Sequence, residues 1–260
     1  MLFNKLKKTA ISAAAVVAIA STSVIQASAA EPITVTYNTT GYVEFIPSTD
    51  VTLPVDPTNP GTVVTPTNPD GSAVTPGTTG PLSIDFASTL DFGLNQISSA
   101  DQTYYSKPQV VSVTATDDTI TTKNVPNYVQ ITDNRGTNAG WTLKVKQNGQ
   151  LTNATALNST LTGAQISLNN GTAVSAMTGV TAPTTVNSII LNPNGAESVV
   201  MSAALNSGAG TWVDAFGVIE TINGAEKNTA ITLFVPGSTP KDAVKYSTTL
   251  TWVLSDVVTN

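Results

Sequence analysis

The chain of 260 residues contains no cysteine and no histidine, and only 11% of it is charged. Those absences exclude disulfide staples, thiol and imidazole catalysis, and histidine-bearing metal sites. A surface so poor in charge must be covered by Thr, Ser, Asn and Gly, and with a formal net charge of −6 it fits an exported all-β domain rather than a cytosolic enzyme or a nucleic-acid binder.

Residues 1–30 read as a signal peptide. Lys5, Lys7 and Lys8 give it a basic start, 11–20 an apolar run too short to remain as a membrane span, and Ala27-Ser28-Ala29 an A-x-A cleavage site. The mature chain is expected to begin at Ala30 or Glu31. Without the three lysines it keeps 8 Lys and Arg against 17 Asp and Glu, a formal net charge of −9. That balance argues against nucleic acid and against docking by charge onto anionic lipid. No second apolar run of about eighteen residues follows, so no membrane span is expected after signal removal. The end of the chain, Asp256-Val257-Val258-Thr259-Asn260, carries no sorting signal for covalent wall attachment. A protein held at the cell surface would then be held non-covalently.

Residues 31–46 alternate, with Ile33, Val35 and Tyr37 on one face, and predict a short N-terminal β segment. Residues 47–81 hold eight of the 15 prolines among Thr, Asn and Gly. Proline fixes φ and removes a donor, so this stretch is expected to stay out of any sheet as a semi-stiff Pro/Thr-rich linker. From residue 82 to 260 the pattern is strand and turn. Strands are predicted over 83–86, 110–116, 127–132, 141–147, 230–235 and 246–254. Residues 199–205 offer at most a helical turn. Asn-Gly at 148–149, 170–171, 194–195 and 223–224 signals hairpins, with a type I′ turn expected at 148–149. The expectation is a single all-β domain over 82–260, a two-sheet β-sandwich with long loops.

Two of the three tryptophans share one local pattern, Trp141-Thr142-Leu143 and Trp252-Val253-Leu254. In a strand, positions i and i+2 face the same way. Trp141, Leu143 and Val145 therefore share a face, as do Tyr246, Leu250, Trp252 and Leu254. A Trp standing with aliphatic neighbours reads as core; a Trp offering its face to a sugar is the competing reading, and half-buried rings lining a shallow groove lie between the two. Trp212 follows a glycine-rich loop and is expected to be more exposed than the other two. Tyr104, Tyr105 and Tyr128 are further candidates for the rim of a groove.

The paired motifs, with Gly80-Pro81-Leu82-Ser83-Ile84-Asp85-Phe86, Val125-Pro126-Asn127-Tyr128-Val129-Gln130 and Thr132-Asp133-Asn134-Arg135-Gly136 around them, resemble the WxL-domain surface proteins of low-GC Gram-positive bacteria. The likeness covers roughly residues 80–260. It implies non-covalent attachment to the cell wall with peptidoglycan as partner, assembly with other surface proteins encoded nearby, and for some members adhesion to host matrix. Carried onto this chain, it makes Trp141, Leu143, Trp252 and Leu254 candidate binding residues, with Arg135 and Trp212 beside them. The alternative is a protein-interaction or adhesin module, held at the surface through a partner or binding host ligands.

No cofactor and no metal is expected, and no enzyme. The carboxylates Asp85, Asp91, Asp117, Asp118, Asp214, Glu220 and Asp256 form no recognisable catalytic pair. Asp117-Asp118 and Asp133-Asn134 lack the spacing of a calcium loop and read as turns. Arg135, the chain's one arginine, offers a planar fork to a carboxylate, either within the fold or on a wall peptide.

Overall fold

The computed structural model describes residues 31–258, so the predicted signal peptide lies outside the described residues. The chain divides into two compact units, Met1–Val43 and Glu44–Asn260. In the first, residues 31–43 form no strand and are exposed throughout. The β segment expected over 31–46 is thus corrected. Alternation gives that stretch an apolar face, but a strand without a paired neighbour has no ladder to hold it.

The second unit holds the strands. β1 (Val55–Asp56), β2 (Asn59–Val63) and β3 (Thr65–Thr67) come first, followed by β4 (Leu82–Ala87), β5 (Gln102–Ser106) and β6 (Gln109–Thr114). Next come β7 (Ile120–Val125), β8 (Tyr128–Asp133), β9 (Trp141–Gln147), β10 (Gln165–Asn169), β11 (Gly171–Val174) and β12 (Thr184–Thr185). The last six are β13 (Ser188–Ile190), β14 (Ser198–Ala203), β15 (Gly210–Phe216), β16 (Ile219–Ile222), β17 (Ala225–Val235) and β18 (Leu250–Ser255). No helix occurs among the described residues, and of 199–205, where at most a helical turn was expected, residues 199–203 belong to strand β14. The fold is all-β.

Five small sheets stand where two were expected: β1-β2, β3-β6-β7, β11-β15-β8-β4, β12-β14-β9-β18, and β13-β10-β17-β16 with β5 also on β17. The ladders are antiparallel and short. Register shifts at Ile84/Phe86, Val199/Met201 and Asn228/Thr232 bend the strands and stop the sheets from extending. Three of the sheets share the main core, which takes Val129 and Ile131 from β8, Trp141, Leu143 and Val145 from β9, and Ile166 and Leu168 from β10.

β8 is buried on both faces. Its Val129 and Ile131 join the main core, while Tyr128 joins a smaller core with Val64, Phe86, Val111, Val125, Val213 and Ala215. The proline-rich stretch closes that second core and is not a linker. Val64 is almost fully buried, and β3 pairs with β6 with Pro66 opposite Val111. The tolerance is positional: β3 is three residues long and lies at the edge of its sheet, where a proline costs least.

Gln130 fastens this stretch to β8. Its Oε1 accepts the Val55 amide at 2.7 Å, and its Nε2 donates to the Leu53 carbonyl at 3.1 Å and to Asp85 Oδ2 at 2.9 Å. Gln130→Ala would take the side-chain partner from the Val55 amide and the Leu53 carbonyl and one of three donors from the buried Asp85, so a stability loss of about 1–3 kcal/mol is expected. Limited proteolysis should then cut first between residues 53 and 67. Unchanged protection there would show that the side chain is not the fastener.

Of the four Asn-Gly dipeptides, only Asn223-Gly224 closes a two-residue hairpin, between β16 and β17, with φ of +50° and +77°. Asn148-Gly149 is not the type I′ hairpin expected. β9 pairs with β14 and β18, both distant in sequence, and the chain leaves the sheet after Gln147. At 170–171 and 194–195 it likewise passes between sheets.

Candidate functional site

The two W-x-L strands are neighbours. β18 runs antiparallel beside β9 with Leu254 opposite Leu143 and Trp252 opposite Val145. Directly opposed residues project to the same side of a sheet, so both motifs face the main core. Their depths differ. Trp141 and Leu143 are fully buried in the interior strand, whereas Trp252 and Leu254 are half-buried on the edge strand, packed against the same core.

Trp141 is fixed at both ends. Its indole Nε1 donates to the Gly208 carbonyl at 3.0 Å. Gly208 has φ of +70°, and a Cβ there would lie 2.4 Å from Ala203 Cβ and 2.9 Å from Trp141 Nε1. Only glycine fits both the backbone twist and the close approach to the ring.

Trp252 lies instead in the wall of a large groove, about 1540 Å³ in volume. The groove is lined by Leu250 and Trp252 from β18, by the irregular segments 87–97 and 241–249, and by core side chains Leu151, Leu161, Ile166, Leu233 and Val235. Tyr246 and Tyr104 add aromatic surface. Tyr246 is held by its hydroxyl, which accepts the Asp242 amide at 2.9 Å and donates to the Asn158 carbonyl at 2.7 Å. The rim is polar. Thr248 Oγ1 donates to the Gly149 carbonyl at 2.9 Å, and Asn148 Nδ2 holds Thr249 Oγ1 at 3.0 Å and Thr251 Oγ1 at 2.8 Å. An apolar floor with a few oriented polar groups is the usual construction of a ligand cleft.

The three carboxylates along the groove, Asp85, Asp91 and Asp242, are all committed, Asp242 accepting the Asn158 amide at 3.1 Å and Asn158 Nδ2 at 2.6 Å. Burial pushes the Asp85 carboxyl up, against hydrogen bonds from Ser83, Thr132 and Gln130 that favour its ionised form. At Asp91 burial acts in the same upward direction, but the ion pair with Lys107 at 2.8 Å and the Gly93 amide outweigh it and hold the group below its ordinary value.

The other predicted site residues lie elsewhere. Arg135 turns its fork inward, with Nε 2.9 Å from Asp133 Oδ1, Nη2 2.8 Å from Asp133 Oδ2 and 2.7 Å from the Gly140 carbonyl. The hydrogen-bonded pairing with Asp133 raises its pKa further, and the guanidinium pins the turn that leads into β9. It borders a separate cavity of about 500 Å³ with Phe45, Ile46 and Met177. Trp212 is not the exposed ring expected from its loop. It is only 5% exposed, because the glycines at 208 and 210 take positive φ and fold the loop back, placing the Ala209 carbonyl 2.9 Å from its Nε1. Tyr128 is buried against Phe86 with ring centroids 4.7 Å apart, so it lines no rim; Tyr105 is half-buried on β5. Asp117, Asp118 and Asp256 are exposed at turns or the chain end, Glu220 accepts Thr229 Oγ1 at 3.0 Å, and Asp214 is enclosed in the interior. Among the described residues no three His, Cys, Asp or Glu gather where they could hold a metal ion.

Tyr104 lines the groove as expected, and Leu90 and Phe92 line it without having been expected to. The signal available was the run Leu90-Asp91-Phe92-Gly93-Leu94, apolar but without strand period.

Comparison with known proteins gives one match. The family model described as "WxL domain surface cell wall-binding" matches residues 33–257. No curated protein and no solved structure matches.

Proposed function

Since the chain belongs to the WxL domain family of surface cell-wall-binding proteins, we propose that it is held non-covalently at the surface by peptidoglycan seated in the groove beside Trp252. The observation that carries this reading is the unequal burial of the two motif tryptophans. Trp141 is enclosed and can touch no ligand, while half-buried Trp252 lines a cleft of about 1540 Å³. The apolar face of a sugar can lie on that ring and on Tyr246, with the hydroxyls of Thr248 and Thr249 in reach of ring substituents. Lys241 and Lys245 at the rim suit the carboxylates of wall peptides. The groove is read as a binding surface and not a cleavage site. Asp85 is closed within its own hydrogen bonds, Asp91 is ion-paired and Asp242 is held by Asn158, which leaves no acid and base facing each other across a substrate.

The test is sedimentation with purified peptidoglycan. Trp252→Ala is expected to weaken pelleting at least about tenfold. Its cost in stability should be about 1–3 kcal/mol, less than for a fully buried ring. Trp252→Phe should recover much of the binding. Equal pelleting of the wild type and the folded Trp252→Ala chain would overturn the assignment.

A further inference from the structure

β18 is an edge strand whose free side opens into the groove. The Asn148 amide donates to the Thr249 carbonyl at 2.9 Å, and hydrogen-bonded pairs alternate along antiparallel strands. The register therefore turns the backbone N–H and C=O of Thr251 and Val253 toward β9. Those of Leu250, Trp252 and Leu254 point outward, to a side on which no strand pairs. Of these, Leu250 and Trp252 line the groove, and Leu254 packs on the main core beyond it. An unpaired edge above an uncovered apolar floor is what an added strand completes.

The chain also contains a segment fit to be that strand. Ile33, Val35 and Tyr37 alternate with Thr34 and Thr36, and they are 91%, 90% and 92% exposed. Tyr42, Val43, Phe45 and Ile46 beyond them are exposed as well. So much contiguous apolar side chain left in water marks a surface that meets something. Five residues in extended form match the six of β18. Charge agrees at the Tyr37 end of the segment: Glu44 lies beyond it, residues 31–46 have no Lys or Arg, and the groove rim carries Lys245 and Lys241, the latter donating to the Ser98 and Pro236 carbonyls.

We propose that residues 33–37 of one copy add as an antiparallel strand to the free edge of β18 in a second copy, seating Val35 and Tyr37 in its groove and Ile33 beside Leu254. Val35 then lies opposite Trp252 and Tyr37 opposite Leu250. Thr36 faces Thr251 on the outer side as a non-hydrogen-bonded pair, the closer of the two antiparallel pair types. The donor's own groove and the acceptor's own arm stay available, so a pair can close by reciprocal exchange or extend head-to-tail. Wall polymer and arm would occupy one groove and exclude one another, but self-association itself does not depend on the wall-binding reading.

The chain has no cysteine of its own, which makes the test direct. Two full chains from Glu31 onward are prepared, one with Thr36→Cys and one with Thr251→Cys, and are mixed under mild oxidation without wall material. A disulfide-linked heterodimer is expected, and adding Val35→Pro to the first chain, which removes an amide the ladder needs, should cut its yield at least about tenfold. Sedimentation velocity of the wild type should show concentration-dependent association up to ~100 μM that Val35→Pro abolishes. Pelleting of Val35→Pro with peptidoglycan should be undiminished, which separates this proposal from the wall-binding one. A wild type that stays monomeric, a crosslink indifferent to Val35→Pro, or a doubly substituted chain that links only within itself at high dilution would each overturn it.

Discussion

Trp141→Ala is expected to cost the fold about 3–5 kcal/mol, far more than the same change at Trp252. The ring is fully buried and sits where β9 meets its neighbours, with Leu143 and Val145 on the same face and Ala203 opposite it on β14. Truncation removes its transfer free energy and leaves a cavity. The surroundings cannot collapse into that cavity easily, because Gly140 and Gly208 hold the flanking backbone at φ of +79° and +70°. The Gly208 carbonyl also loses its indole partner, a further penalty if water does not replace it. For a body of this size each kcal/mol lowers the melting temperature by about 2–4 °C, so a drop of roughly 6–20 °C is expected. Trp141→Phe should recover part of it. A loss below about 1 kcal/mol together with lost wall binding would show that Trp141, and not Trp252, meets the ligand.

That contrast shows what the sequence could and could not reveal. Strand parity is local, and it correctly set Trp141, Leu143 and Val145 on one face and Leu250, Trp252 and Leu254 on another. Parity carries no information on which strands become neighbours. The adjacency of β9 and β18, and hence the interior place of one Trp and the edge place of the other, arises from a pairing across more than a hundred residues. The proline-rich stretch failed in the opposite sense. Its composition describes the isolated chain, but the uncovered face of β8, with Tyr128 and Gln130 on it, supplies partners that an isolated chain lacks. The alternating stretch at 31–46 has the local pattern of a strand and finds no such partner among the described residues. Asn-Gly behaves alike at four sites by sequence, yet makes a hairpin only at 223–224, where both flanking segments already belong to one sheet. The groove was least legible, because its walls at 87–97 and 241–249 have no period to read and are placed by what they pack against.

Asp214→Asn is expected to flatten the pH dependence of stability between about pH 4 and pH 8. Asp214 lies on β15 with a fully buried side chain, on the same side of the strand as Trp212 and Phe216 of the main core. Neither of its oxygens has a hydrogen bond of acceptable geometry among the described residues, and the nearby Thr172 amide offsets the burial only weakly. A Cβ on Gly171 would come within 2.7 Å of Oδ1, so the carboxyl occupies space that glycine alone leaves open. Burial without a partner disfavours charge and pushes the group up to about 8 from an ordinary 3.8. The sign follows from which state holds the proton. Above its unfolded value the open chain releases the proton while the folded chain keeps it, so the folded state binds more protons throughout the window. The stabilising share of this group is therefore complete below about pH 4, declines as pH rises, and is gone once the folded carboxyl ionises near pH 8. At about 1.4 kcal/mol per unit the ceiling is several kcal/mol, and relaxation around the ion brings the expected loss to the order of 2–4 kcal/mol. Chemical denaturation at pH 4, 6 and 8 measures it: the wild type should weaken across the series and Asp214→Asn much less, any remainder coming from the likewise raised Asp85. Parallel curves would mean that the carboxyl is already ionised in the fold and paired with something that its position inside the core conceals.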